Sequence, residues 1–161
     1  KRTALWVLLG VLGALVLALV SAPIVISMQN DAVARGVEAE LLEFPLPAHA
    51  EVLDSSSAVG RWEGNGNGTM YLGAILIRSE LPRAEIEAYY AALGEQDQNP
   101  NVEPEFIRPG VTVLTDPETS RLPSLLRATF GSTASLPNHY VVHASGNAPS
   151  SWHYQFDVRG H

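Results

Sequence analysis

From Thr3 to Met28 the chain reads TALWVLLGVLGALVLALVSAPIVISM, without one charged residue. At about 1.5 Å per residue, roughly 20 apolar residues cross a ~30 Å hydrocarbon core, so this run is long enough to span one. An amphipathic helix of a soluble core would carry a polar stripe at helical spacing, and none is present. A cleaved signal peptide has a shorter apolar core, about 7–15 residues. The small-residue motif Val20-Ser21-Ala22 resembles a cleavage site, but Pro23 follows at once and hinders cleavage. A lipoprotein anchor needs a cysteine, and the chain has none. The expectation is therefore a retained single-pass anchor in the lipid bilayer.

Charge sets the expected direction. Lys1 and Arg2 precede the run, whereas Asp31, Glu38, Glu40 and Glu43 follow it with only Arg35 among them. The positive-inside rule then leaves the N-terminus in the cytoplasm and the remainder extracytoplasmic. Of the 10 basic residues, 8 lie beyond Arg2, all arginine, against 17 acidic ones, so this remainder carries a charge near −9 (8 minus 17). Such a domain repels phosphate backbones, which argues against nucleic acid as a partner. Without cysteine there is no disulfide, no thiolate metal site and no cysteine nucleophile. An extracytoplasmic domain of this kind fits a bacterial cell envelope.

Three segments are expected: an anchor over 1–28, a helical stalk over 29–44, and an α+β domain over 45–161. In the stalk Val33, Val37 and Leu41 fall on one stripe, which reads as a face packed on the domain. Pro45 and Pro47 end it. Within the domain, strands are expected near Glu51–Val59 and over Met70–Ser79, joined through the Asn-Gly turn signals of Gly64-Asn65-Gly66-Asn67-Gly68. MYLGAILIRS is apolar on both faces, as in a central strand covered on both sides. A helix follows over Pro82–Leu93, with Ile86, Tyr89, Tyr90 and Leu93 as its buried face. Short strands near Phe106–Ile107 and Val111–Thr115 and a short helix around Pro123–Ala128 complete the middle. The fold class expected is a mostly antiparallel sheet with one main helix packed on it.

The C-terminal part reads as a hairpin of Asn138–Ser145 and Ser151–Arg159. Tyr140, Val142 and Ala144 share one face with Trp152, Tyr154, Phe156 and Val158. A register that buries both sets together places His143 opposite His153 and His139 opposite Asp157 on the other face. Opposed imidazoles are close enough to share zinc or copper, with His139 or Asp157 as a third ligand. His139 and His143 lie too far apart along a strand for all four groups to meet at one ion. The plainer expectation for these residues is a solvated outer face. Catalytic signatures are missing: there is no GxSxG, SxxK or HExxH. Ser55-Ser56-Ser57 reads as strand edge, and Glu103 with Glu105 as an acidic edge. Asn67-Gly68-Thr69 is a glycosylation acceptor triplet of a kind common by chance.

The stretch GNGNGTMYLGAILIRS (Gly64–Ser79) resembles uncharacterised small single-pass membrane-anchored proteins of Gram-positive bacteria. The shared features are an N-terminal span, a proline-containing stretch like Phe44-Pro45-Leu46-Pro47, the GNGNG turn, the GAILI-type strand and a helix with a Tyr-Tyr pair like Tyr89-Tyr90. The resemblance covers roughly the first 90 residues; it implies the topology and no activity. The leading functional expectation is an interaction or ligand-sensing module without catalysis, with an envelope protein as partner. A metal-binding envelope protein using His143 and His153, and a hydrolase whose site assembles from residues distant in sequence, are the alternatives.

Overall fold

The computed structural model describes residues 2–60, 69–96, 110–112, 121–147 and 157. Its first element, α1 (Arg2–Glu43), is a single helix of 42 residues. At about 1.5 Å per residue it is roughly 63 Å long. The helix runs through Pro23, where one intrahelical hydrogen bond is lost for want of an amide proton. The segments read as anchor and stalk are thus one continuous rod. Its two halves lie in different surroundings: Leu5, Trp6, Leu12, Leu17 and Val20 are exposed, whereas Ala34, Val37 and Leu41 are buried.

After α1 the chain turns through His49, whose φ is positive, into β1 (Ala50–Gly60), and β2 (Met70–Ser79) runs back antiparallel to it. The register shifts between Val52 and Asp54, so β1 carries an irregularity near its start. Next come α2 (Arg83–Gln96), β3 (Gly110–Thr112), α3 (Arg121–Phe130), a 3-10 turn (Gly131–Ser135) and β4 (His139–Asn147). The sheet order is β1-β2-β4-β3, with every neighbour antiparallel. This is an α+β fold.

The alternation of β2 explains its layers. Tyr71, Ile75 and Ile77 point to one side, where they meet Ala34, Val37 and Leu41 of α1, Ile86 and Tyr90 of α2, and Tyr140, Val142 and Ala144 of β4. Leu72, Ala74 and Leu76 point to the other, with Val141 of β4, Leu126 and Phe130 of α3, and Ala134. Both faces of β2 are therefore covered, as its apolar run predicts. The stripe Val33, Val37 and Leu41 packs on the domain, with Val33 partly buried beside the other two.

Two expectations change. The sheet has helices on both faces rather than one main helix, because Leu126 and Phe130, four residues apart on α3, close the second face. And β4 is an interior strand, flanked by β2 and β3. Residues 151–156 and 158–159 of the expected hairpin partner lie outside the described residues, as do Phe106–Ile107, the glycine–asparagine run, and Glu103 with Glu105.

Candidate functional site

Two of the buried polar residues of the described fold, Asn30 and Asp157, meet where the apolar half of α1 joins the domain. Asn30 faces the sheet on the same stripe as Ala34, Val37 and Leu41, and it is fully buried. Its amide Nδ2 donates to Asp157 Oδ2 at 2.8 Å. The hydroxyl of Tyr71, from β2, donates to Asn30 Oδ1 at 3.0 Å. One turn earlier on α1, Ser27 Oγ donates to Asp157 Oδ1 at 3.4 Å. Asp157 and Tyr71 are likewise fully buried. The amide of Asn30 thus bridges a hydroxyl and a carboxylate with its oxygen and its nitrogen each used in the sense it requires. A buried carboxylate held by such donors is a charge-assisted tie between the C-terminal segment, α1 and β2.

This placement separates residues that the sequence pattern groups together. Asp157 belongs to the α1 face of the sheet. His143 belongs to the opposite face, because it alternates with Val142 and Ala144 and shares its parity with Val141. His143 and Asp157 thus lie on opposite sides of the sheet. The cross-strand neighbours of His143 are Ala74 on β2 and Gly110 on β3, so β3 holds the position that a hairpin would give to His153. His153 itself lies outside the described residues.

Nor is the face of His143 a solvated one. It is the side closed by α3, and burial pushes the imidazole down from the usual 6.5 to about 4. His143 is consequently neutral at physiological pH. His139, at the start of β4, lies with Nδ1 2.8 Å from the Pro137 carbonyl oxygen. Among the described residues no three His, Asp or Glu side chains converge in a metal-binding group.

Of the serine run, Ser55 takes part in two side-chain contacts of the described fold. Ser55 Oγ donates to Glu38 Oε1 at 2.6 Å, tying β1 to α1, and the Ser55 amide donates to the Asp54 carboxylate at 2.9 Å. Two further tyrosines brace the domain: Tyr89 donates to the Pro45 carbonyl at 3.0 Å and Tyr140 to the Leu81 carbonyl at 2.8 Å. Apart from the Ser55 amide, which bonds within β1, each of these contacts joins parts of the chain distant in sequence.

Sequence reasoning missed the Asn30 tie. The available signal was Asn30 itself, a polar residue at a position where the α1 stripe calls for an apolar one. Comparison with protein-family models, curated proteins and solved structures finds no match to this chain.

Proposed function

We propose that this chain is a single-pass membrane protein of a bacterial cell envelope, with its N-terminus cytoplasmic and its α+β domain extracytoplasmic. There the domain acts as an interaction or ligand-sensing module without catalysis. The observation that carries the reading is the division of α1: one unbroken helix offers an uncovered apolar surface over its first half and core residues over its second. A rod shared in this way makes the domain and the span one mechanical unit. A partner that reorients the domain reorients the span with it.

Because the chain lacks cysteine, a single one reports topology. Ala88 is exposed on α2. In intact cells Ala88→Cys is expected to react with a membrane-impermeant maleimide, with no gain in labelling after permeabilisation. Labelling only after permeabilisation would reverse the orientation. For the interaction role, the full-length chain is recovered from its own membranes in mild detergent and its companions are identified by mass spectrometry. A specific envelope protein at stoichiometric yield is expected, and recovery of the chain alone would count against a stable partner.

A further inference from the structure

The structure carries an inference about where the domain sits, which rests on the membrane reading above. Burial of α1 begins inside the charge-free run: Ser21, Pro23, Ile26 and Ser27 are half-buried, and Asn30, Ala34, Val37 and Leu41 continue the stripe of Pro23 and Ser27. On the opposite side of the helix Ile24, Val25 and Met28 remain exposed. The fully exposed stretch from Thr3 to Val20 is then 18 residues, about 27 Å at helical rise, close to a ~30 Å hydrocarbon core. Nothing is left over for a linker.

The topology brings one end of the sheet to the same level. β1 starts just after the C-terminal end of α1 and runs back along it for 11 residues, about 36 Å at strand rise. From Asn30 to Glu43 the helix climbs only about 20 Å. The strand therefore returns to the level at which α1 leaves the hydrocarbon. Tyr71, paired with Val59, verifies this by reaching Asn30. Gly60, Met70 and Asn147 pair side by side at this near end, and Ala50, Ser79 and His139 mark the far end. Asp157 bonds Ser27, within the charge-free run itself.

The geometry points to the lipid headgroup layer as a second binding surface for this domain: the sheet end marked by Gly60, Met70 and Asn147 rests in it, beside the Ser27–Asn30–Asp157 tie. Raising the domain clear of the headgroups would draw Val25 and Met28 into water, which the apolar transfer cost opposes. The tie has a corresponding role. It pairs the polar groups of Ser27 and Asn30 within the protein at the edge of the hydrocarbon, so neither meets the acyl chains without a partner. The domain thus stands on the membrane, and its ligand approaches the far end or the flanks.

The test uses the full chain in phosphatidylcholine vesicles, with one cysteine per variant carrying a small fluorophore. Ser145→Cys and Ala58→Cys place the label near the near end, each in the pair with Leu72, and Glu80→Cys places it beyond Ser79 at the far end. Leu12→Cys reports the span. A nitroxide on the lipid headgroup is expected to quench the labels at 145 and 58 at least twofold more than the label at 80. A nitroxide deep in the acyl chain is expected to quench the label at 12. Equal quenching at 145, 58 and 80, with the label at 12 still quenched, overturns the surface docking and leaves the span standing. An unquenched label at 12 overturns the membrane reading itself.

Discussion

Gly73 lies directly beneath the backbone of Glu38: a methyl group on Gly73 would meet the Glu38 amide nitrogen at 2.6 Å and its Cα at 2.8 Å. The closest approach of α1 to the sheet is therefore set by a missing side chain on β2. Both contacting atoms are backbone, so neither can swing aside. Gly73→Ala is expected to lift α1 off β2 and to cost about 1–3 kcal/mol. The measurement is the urea midpoint of the detergent-solubilised chain followed by circular dichroism. A midpoint equal to that of the unmodified protein would mean that α1 is not seated as described.

Asn30 and Tyr71 form a pair whose energy is not the sum of its parts. Asn30→Ala removes a donor from the buried Asp157 carboxylate and an acceptor from the Tyr71 hydroxyl together, with an expected loss of roughly 2–4 kcal/mol. Tyr71→Phe removes the hydroxyl alone and should cost about 1 kcal/mol. In a double-mutant cycle the coupling is expected to exceed about 0.5 kcal/mol. Strict additivity of the two changes would refute a shared hydrogen-bond chain.

How far the sequence speaks for this fold depends on the range of each signal. Met70–Ser79 is legible to the residue, because the eight successive apolar residues Met70–Ile77 have few other ways to be buried. The Val33–Val37–Leu41 stripe is legible as a packing face for the same reason. His143 misleads because its strand alternates apolar with polar residues, the usual pattern of a half-solvated sheet. Which strand lies beside β4 is a long-range fact. Once β2 and β3 flank it and α3 closes that side, His143 loses most of its exposure to water. Asp157 shows the same limit, since periodicity assigns it to the histidines while its partners Ser27 and Asn30 lie 130 and 127 residues away.

Tyr90 carries a cost that a substitution can relieve. Its ring is fully buried in the α1 face of the core and packs edge-on against Tyr89, with centroids 5.4 Å apart, yet its hydroxyl has no hydrogen-bond partner among the described residues. Burial, with a smaller contribution from Tyr89, pushes the phenol up to about 12. Tyr90→Phe keeps the ring and removes the unsatisfied group, so stability is expected to stay level or to rise by about 1 kcal/mol. Thermal unfolding of the two proteins side by side decides it. A loss of more than about 1 kcal/mol would reveal a partner for the hydroxyl.

His143 gives the domain an acid sensitivity whose sign follows from its burial. The folded state holds the imidazole near 4, below the 6.5 of an exposed histidine, so the unfolded chain binds the extra proton first. The stabilisation from keeping His143 neutral is complete above about pH 6.5. It declines as the pH falls through the window between 6.5 and about 4. Since the residue retains some exposure, this contribution is on the order of 2 kcal/mol, less than the full shift implies. Carboxylates elsewhere titrate in the same range, so the comparison must be with His143→Leu, which lacks this one proton site. Between pH 7 and pH 4 the unmodified domain is expected to lose more stability than the variant, by that amount. Parallel pH profiles for the two proteins would place His143 in water instead of beneath α3.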